Sequence, residues 1–207
     1  MGFITHMKII GNIRNYTLGA VLLGTAAIST PIKAQSPNPK VDTFERTIPP
    51  QGTDNDSVLK SAPSPKITIK GEDTNAKIVV DISKNVLYKY DDNGKAEKAF
   101  LIASGAPRTP THKGVRIVTH KEYYPYKKAP ANSKRRRTPK AFGPKIICVD
   151  IIDPKTGEQS SIGEFIHGNN DYSSLGRYRS HGCMRMDNEV ITYLAEEVKR
   201  GDIVIIK

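Results

Sequence analysis

The sequence has 207 residues, and its 32 Lys and Arg residues against 21 Asp and Glu residues give a formal charge of +11. Nine basic residues and one acidic residue fall within residues 121–145, so a single stretch supplies most of the surplus. This distribution argues against a nucleic-acid-binding protein, whose basic residues would cover a whole face, and we expect no nucleic-acid partner. No apolar run long enough to span a bilayer follows residue 34, which excludes a multi-span membrane protein.

Residues 1–34 are typical of a secretory signal peptide. Lys8 and Arg14 form a positive leader, and an uncharged apolar segment follows over residues 17–30. Cleavage is expected near Ala34, and an uncleaved N-terminal anchor is the alternative. We therefore expect the mature protein in the cell envelope. A short tether, with no second wall-binding module, favours the periplasm of a Gram-negative cell.

Residues 35–66 are predicted to be a disordered linker. This segment contains six prolines and few large apolar residues, so it cannot bury enough surface to offset the entropy cost of ordering it. The folded domain is expected to begin at residue 67 and to continue to residue 207.

The domain alternates short β-type runs with turn signals. Asn85 and the Asp91–Gly94 segment punctuate the first three runs, which predicts a hairpin followed by a third strand. The predicted strands cover residues 77–82, 86–90, 98–104, 114–120, 145–152, 163–168 and 202–207.

One helix is predicted near the C-terminus. Asp187 is its expected N-cap, Val190 and Leu194 belong to an apolar face at helical spacing, and Gly201 is expected to end it. Many short strands and one helix predict a mainly β domain with that helix packed on it.

The two cysteines have different surroundings. Two cysteines in an exported chain most simply form one disulfide, and a Cys148–Cys183 bond would act as a redox lock. Cys148, however, lies between Ile147 and Val149, as a small buried hydrophobe would. Cys183 lies in a polar, glycine-containing segment just before the predicted helix.

Cys183 has the surroundings of a nucleophile. His181 and Arg185 are close in sequence and a helix N-terminus follows; each favours the thiolate, the form that attacks. His167 ends a predicted strand and can meet a loop thiol in space, where it would serve as the base.

Several motifs resemble, in order, those of one family. Residues 166–168 (IHG) and 180–186 (SHGCMRM) closely resemble the active-site signature of the L,D-transpeptidases of bacterial cell walls. Residues 104–114 (SGAPRTPTHKG) resemble the family's Ser-Gly and Thr-Pro-x-Gly segment, with His112 where the family usually has Pro. The resemblance covers about residues 76–207 and implies an L,D-transpeptidase-like β-sandwich. The other matching segments are the first hairpin, residues 78–90, and the last strand, residues 201–207.

The resemblance also assigns roles to individual residues. Cys183 would be the nucleophile and His167 the base that takes its proton, with the Gly168 carbonyl orienting the imidazole. Backbone N–H groups around His181, Gly182 and Cys183 would form the oxyanion hole, which acyl transfer needs for its developing charge.

Ser180 and Arg185 are expected on the substrate side of this site. Ser180 would shape the loop through hydrogen bonds. Arg185 is a candidate for pairing with a substrate carboxylate, which a guanidinium binds bidentately. A structural ion pair is the alternative for Arg185. No cofactor and no metal ion is expected.

The implied reaction is a peptidoglycan L,D-transpeptidation by cysteine acyl transfer. Cys183 would attack the carbonyl at the L-centre of diaminopimelate in a tetrapeptide stem and release D-Ala. A diaminopimelate amine would then give a 3–3 cross-link, and a lysine of an outer-membrane lipoprotein would give an anchor. With water as the acceptor, the protein would be an L,D-carboxypeptidase. The resemblance further implies a part in cell-wall organisation and cell shape, and acylation by carbapenems.

Two other classes stay open. A zinc hydrolase would use His167, His181 and Cys183 as ligands. A non-catalytic wall-binding module would have no need of an intact Cys and His pair.

The basic stretch, residues 121–145, also has two interpretations. Charge runs are usually solvated, which predicts a flexible loop. Alternatively, the stretch overhangs the active-site groove, and the loop from Lys127 to Arg137 contacts anionic wall strands or anionic lipid.

Overall fold

The computed structural model describes residue 49 and residues 51–207, so the predicted signal peptide and most of the predicted linker lie outside the described residues. The described residues form one nine-stranded sheet, two small two-stranded ladders and three α-helices. No helix among them is long and apolar enough to cross a membrane. The helices are α1 (Asp56–Leu59), α2 (Lys134–Arg137) and α3 (Asn188–Glu197). The strands are β1 (Lys66–Ile69), β2 (Glu72–Asn75), β3 (Ile78–Asp81), β4 (Val86–Tyr90), β5 (Ala96–Leu101), β6 (Ser104–Gly105), β7 (Gly114–Tyr123), β8 (Lys145–Ile152), β9 (Gln159–Ser160), β10 (Phe165–His167), β11 (Tyr178–Ser180), β12 (Met184–Arg185) and β13 (Ile203–Ile206).

The large sheet runs in the order β12–β10–β8–β7–β13–β3–β4–β5, and β9 also pairs with β8. Most neighbours are antiparallel, but β13 is parallel to β3 and β10 is parallel to β12. The predicted first hairpin is present as β3 and β4, with Val79 opposite Tyr88. The predicted mainly β fold with one packed helix is confirmed, and a single curled sheet forms the sandwich.

Helix α3 covers the main hydrophobic core. The side chain of its N-cap, Asp187, accepts hydrogen bonds from the N–H groups of Glu189 (2.7 Å) and Val190 (3.2 Å). The predicted end at Gly201 is wrong, because Val198 is already extended and buried against the core. The Lys121 ammonium donates to the carbonyls of Ala195 in the last helical turn and of Val198 just after it, and so supplies the cation that a helix C-terminus favours.

The structure also corrects the predicted linker boundary, because residues 51–66 pack on the domain. Thr53 exchanges backbone hydrogen bonds with Ala99, and Val58 is only 4% exposed. The Tyr90 hydroxyl donates to the Pro63 carbonyl. Both faces of β4 are buried, so its outer face needs a cover, and this segment supplies it.

Candidate active site

Two short parallel strands bring the predicted base and the predicted nucleophile to one face of the sheet. His167 ends β10, and Cys183 immediately precedes β12. Ile166 pairs with Met184, and both side chains are fully buried in the main core. Because side chains alternate along a strand, His167 and Cys183 lie on the opposite face, on adjacent strands.

Cys183 ends a tight loop, residues 181–183, and its thiol is free. Gly182 adopts a φ of +108°, a conformation that L side chains rarely take. Its N–H donates to Ser180 Oγ (3.1 Å), and the Ser180 hydroxyl donates to the Cys183 carbonyl (2.5 Å). Ser180 therefore holds the loop in shape, while the neighbouring His181 is exposed.

The segment before β7 clamps this loop. The Thr111 hydroxyl donates to the Gly182 carbonyl (2.8 Å) and accepts from the Gly105 N–H (2.9 Å). The Thr109 hydroxyl donates to the Ser180 carbonyl (3.2 Å). Sequence reasoning did not assign these two threonines a role, although the motif at residues 104–114 marked their segment.

The His167 imidazole is buried and oriented. Its Nδ1 lies 2.6 Å from the Gly168 carbonyl oxygen, which can only accept, so Nδ1 carries the proton and Nε2 keeps its lone pair. The ring packs against Phe142, with the ring centroids 4.7 Å apart. Burial lowers the pKa of His167 to about 3, so the imidazole is neutral in the resting protein.

The neighbours of Cys183 were expected to favour its thiolate, but the net effect of its surroundings is the opposite. Burial raises the pKa of the Cys183 thiol to about 11, and the nearby Glu164 carboxylate acts in the same direction. A backbone hydrogen bond at Phe165 and the charge of Arg185 lower it, but burial outweighs them. At rest, Cys183 is therefore a neutral thiol and His167 a neutral imidazole.

The hydrogen bonds of the loop bear on the predicted oxyanion donors. Because the Gly182 N–H is engaged by Ser180 Oγ, it is not free to bind an oxyanion in this conformation. Within residues 51–207, the N–H groups of His181 and Cys183 make no hydrogen bond. These two amides are the remaining donors of the predicted set.

Arg185 lies directly opposite His167 on the neighbouring strand. No carboxylate of the described residues comes within ion-pair distance of its guanidinium. The alternative of a structural ion pair therefore has no support in this part of the chain, and the side chain is available to a ligand.

The basic stretch is not a solvated flexible loop, so that interpretation is wrong. Tyr126, Ala129 and Phe142 are all buried and pack on the sheet face that carries the site. Arg135 forms a bidentate ion pair with Glu122 (2.6 and 3.0 Å). The stretch therefore forms one wall of the site, through the contact of Phe142 with His167.

An open pocket of about 310 Å³ lies along this wall. Arg137 and Lys140 are exposed at its edge, and neither forms an ion pair with any of the described residues. The pocket is lined by Tyr124, Arg137, Thr138, Pro139, Lys140, Ala141 and Asn170.

The second cysteine lies on the same face but too far away for a disulfide. Cys148 on β8 pairs with Phe165 on β10, and Cys183 borders Phe165 on the other side. Two interstrand spacings put the two cysteine Cα atoms roughly 10 Å apart, beyond the limit of about 7 Å for a disulfide. The proposed redox lock is therefore wrong for this fold, and both thiols are free.

The predicted zinc alternative placed its ligands at His167, His181 and Cys183. The one group of three potential ligands close together in the described residues is a different one: His120, Glu122 and Cys148, with donor atoms within 4.8 Å of one another. Arg135 occupies both carboxylate oxygens of Glu122, and burial raises the pKa of Cys148 to about 12. This group is therefore an ion pair beside a buried thiol, and the chemistry of its donors does not favour a metal.

The model of the L,D-transpeptidase catalytic domain family, YkuD, matches residues 75–206. The chain belongs to this family. The match includes β10 and β12, the loop of Cys183, and Thr109 and Thr111, which bind that loop. No curated protein matches the chain.

Solved structures similar to this L,D-transpeptidase domain come from several bacteria. The Enterococcus faecium L,D-transpeptidase is 23% identical over 64% of this chain and 49% of that chain, with a TM-score of 0.44. An L,D-transpeptidase from Mycobacterium tuberculosis H37Rv is 19% identical over 70% of this chain and 67% of that chain, with a TM-score of 0.48. The protein Bd1075 from Bdellovibrio bacteriovorus is 20% identical over 70% of this chain and 53% of that chain, with a TM-score of 0.49. The chain thus spans about half the length of the Enterococcus protein.

Proposed function

We propose that this protein is a peptidoglycan L,D-transpeptidase that works by cysteine acyl transfer. The observation that carries the proposal is the neutral His167 imidazole, fixed by the Gly168 carbonyl on the face of Cys183 in a domain of this family. A thiol, an oriented base and free backbone amides are the groups that acyl transfer requires.

The first half-reaction begins from the neutral pair. Because the pKa of Cys183 is raised to about 11 and that of His167 is lowered to about 3, a stable thiolate–imidazolium pair is disfavoured. The thiol proton passes to His167 Nε2 as the sulfur–carbon bond forms at the carbonyl of the L-centre of diaminopimelate. The Gly168 carbonyl, which accepts from Nδ1, stabilises the imidazolium that results.

The same imidazolium completes the acylation. Negative charge develops on the substrate carbonyl oxygen, where the N–H groups of His181 and Cys183 are the candidate donors. His167 gives its proton to the nitrogen of the terminal D-Ala, the carbon–nitrogen bond breaks, and a thioester on Cys183 remains.

An amine acceptor resolves the thioester. The amine nitrogen attacks the thioester carbonyl, His167 takes its proton, and the sulfur departs and recovers a proton from His167. A diaminopimelate side chain as acceptor gives a 3–3 cross-link, and a lysine of an outer-membrane lipoprotein gives an anchored protein. Attack by water instead makes the enzyme an L,D-carboxypeptidase.

Substrate recognition follows from the charges around the site. Stem peptides are anionic, and Arg185 offers a guanidinium beside His167 for one of their carboxylates. The exposed Arg137 and Lys140 make the basic stretch a second contact for anionic wall strands or anionic lipid. The signal-like residues 1–34 support export to the periplasm, where this substrate is found.

The deciding experiment incubates the purified protein with disaccharide-tetrapeptide and analyses the products by mass. A dimer that has lost one D-Ala supports the transpeptidase, and a tripeptide supports the carboxypeptidase. C183A should lose at least about a thousandfold of the activity, whereas the matched control C148A should keep it. Full activity of C183A, or no product and no carbapenem adduct on wild-type Cys183, would contradict the proposal.

A further inference from the structure

A buried charged cluster lies directly beneath the loop that carries Cys183. Glu164, just before β10, is 5% exposed, and Arg116 on β7 is 1% exposed. The side chain of their third partner, His112, is 66% exposed. Ionised groups as buried as Glu164 and Arg116 are stable only when they are paired and hydrogen-bonded.

The Glu164 carboxylate collects donors from both partners. Its Oε1 lies 2.6 Å from His112 Nδ1 and accepts from the His112 N–H at 3.1 Å. Its Oε2 accepts from Arg116 Nη2 at 3.4 Å, and the same Nη2 donates to the His112 carbonyl at 2.8 Å. Arg116 and the backbone of His112 thus fix the carboxylate, while the His112 ring connects it to solvent.

This carboxylate also contacts the nucleophile loop. A Cβ placed on Gly182 would lie 3.0 Å from Glu164 Oε1, so the carboxylate packs against the Gly182 backbone, one residue before Cys183. It opposes ionisation of the Cys183 thiol, because two negative charges repel strongly in a buried environment.

The other charges that face the thiol are on different elements. Arg185 on β12 and Lys134 on α2 favour the thiolate. His167 on β10 is neutral, and the thiol of Cys148 on β8 is protonated. Among these groups, Glu164 alone adds negative charge beside Cys183.

We propose that Glu164 and His112 are positioning residues that set the reactivity of Cys183: the carboxylate supports the nucleophile loop and opposes the thiolate, and the His112 side chain in contact with that carboxylate partly offsets the opposition. The inference rests on the proposed role of Cys183 as the nucleophile. It gives a function to the position where this chain has His instead of the Pro usual in the motif.

The test measures alkylation of Cys183 by iodoacetamide from about pH 6 to about pH 10, with the modified peptide identified by mass. E164Q keeps the shape and removes the charge, so Cys183 should react roughly 3- to 10-fold faster at neutral pH. H112Q should react roughly 2- to 3-fold slower, because it removes the imidazole that lies 2.6 Å from the Glu164 carboxylate. H120Q is the matched control, because His120 is also an exposed imidazole beside a glutamate; its profile should not change.

Opposite effects from two groups in contact are the signature of charge coupling, which a merely structural role would not produce. Changes of the alkylation rate in the same direction for E164Q and H112Q would overturn the proposal. So would an unchanged rate in H112Q, or an equal change of rate in H120Q. Should E164Q fail to fold because Arg116 loses its partner, the alkylation rate of H112Q against that of H120Q decides alone, since His112 is exposed. Alkylation needs no peptidoglycan, so a failure of the transferase assay would count against the proposed function and not against this coupling.

Discussion

Cys148 and Cys183 lie on the same face of the same sheet, separated by one strand, yet only one has the surroundings of a nucleophile. Burial raises the pKa of both thiols, to about 12 and about 11, so acidity does not distinguish them. Position does. Cys148 is central in β8 beneath the basic stretch, whereas Cys183 ends a loop in which the N–H groups of His181 and Cys183 make no hydrogen bond within residues 51–207, and the neighbouring strand supplies His167. The two thiols in this fold are therefore distinguished by where they lie along their strands and not by their acidity.

The largest difference expected between the cysteines is in alkylation of the native protein. Cys183 should react at least about 100-fold faster than Cys148, because Cys148 is 2% exposed and must await local opening. Iodoacetamide labelling followed by peptide mass analysis measures both rates. In concentrated urea the two rates should converge, and a persistent difference there would mean that folding is not its cause.

Loosening the basic stretch that covers Cys148 should narrow the difference in labelling rate between the two cysteines. E122Q removes the carboxylate that holds Arg135, whose guanidinium also lies 5.0 Å from the Phe165 ring centroid. We expect Cys148 to be labelled about 10-fold faster, as a local loss of about 1.4 kcal/mol predicts, and Cys183 to be labelled as before. E158Q, at an exposed acid outside this wall, is the control. Equal acceleration of both thiols would indicate global destabilisation.

The free energy of unfolding at alkaline pH should report the raised pKa of the buried Cys148 thiol. The folded pKa of Cys148 is about 12, above its ordinary value of about 9, so between these values the unfolded chain binds fewer protons. Stability is therefore lost as pH rises through this window, by about 1.4 kcal/mol per pH unit from this group. C148A should remove this contribution to the slope of unfolding free energy against pH, which urea unfolding curves recorded at several pH values measure. An unchanged slope would show that this thiol does not titrate on unfolding.

The smallest expected effect concerns the charges on the wall that covers Cys148. R137Q/K140Q should raise KM for the tetrapeptide substrate roughly 2- to 5-fold at low salt, because these exposed charges attract an anionic ligand through solvent. The difference should fade in high salt, and kcat should stay constant. K155Q/R200Q carries the same charge change elsewhere and should match the wild type. A salt-independent loss in R137Q/K140Q would point to altered packing instead.

Local patterns predicted the parts of this domain that depend on near neighbours. The alternation in residues 77–90 predicted the hairpin, and Asp187 predicted the start of α3, because a cap and a turn are satisfied within a few residues. The motifs at residues 166–168 and 180–186 marked His167 and Cys183 in the same way.

Other features depend on contacts between distant segments, and the sequence patterns missed them. The prolines before residue 66 predicted a linker, yet that segment packs over Tyr88 and Tyr90 and buries the outer face of their strand. The cations near Cys183 favour the thiolate, as the sequence indicated, but the net shift of its pKa is set by burial, which depends on everything packed around the loop. Glu164 drew no attention in the sequence because its partner His112 is 52 residues away.

The sequence by itself indicated seven of the nine strands of the large sheet, the helix start, the motifs of His167 and Cys183 and the family, because each is encoded in a short run of residues. The concentration of basic residues in residues 121–145 was also visible in the sequence, but the structure of this stretch was not. Only the tertiary structure decided that this stretch is a packed wall, that the two cysteines cannot bond, and that the resting thiol is neutral. Those properties depend on distance and burial, and both arise only when strands far apart in the sequence become neighbours in one sheet.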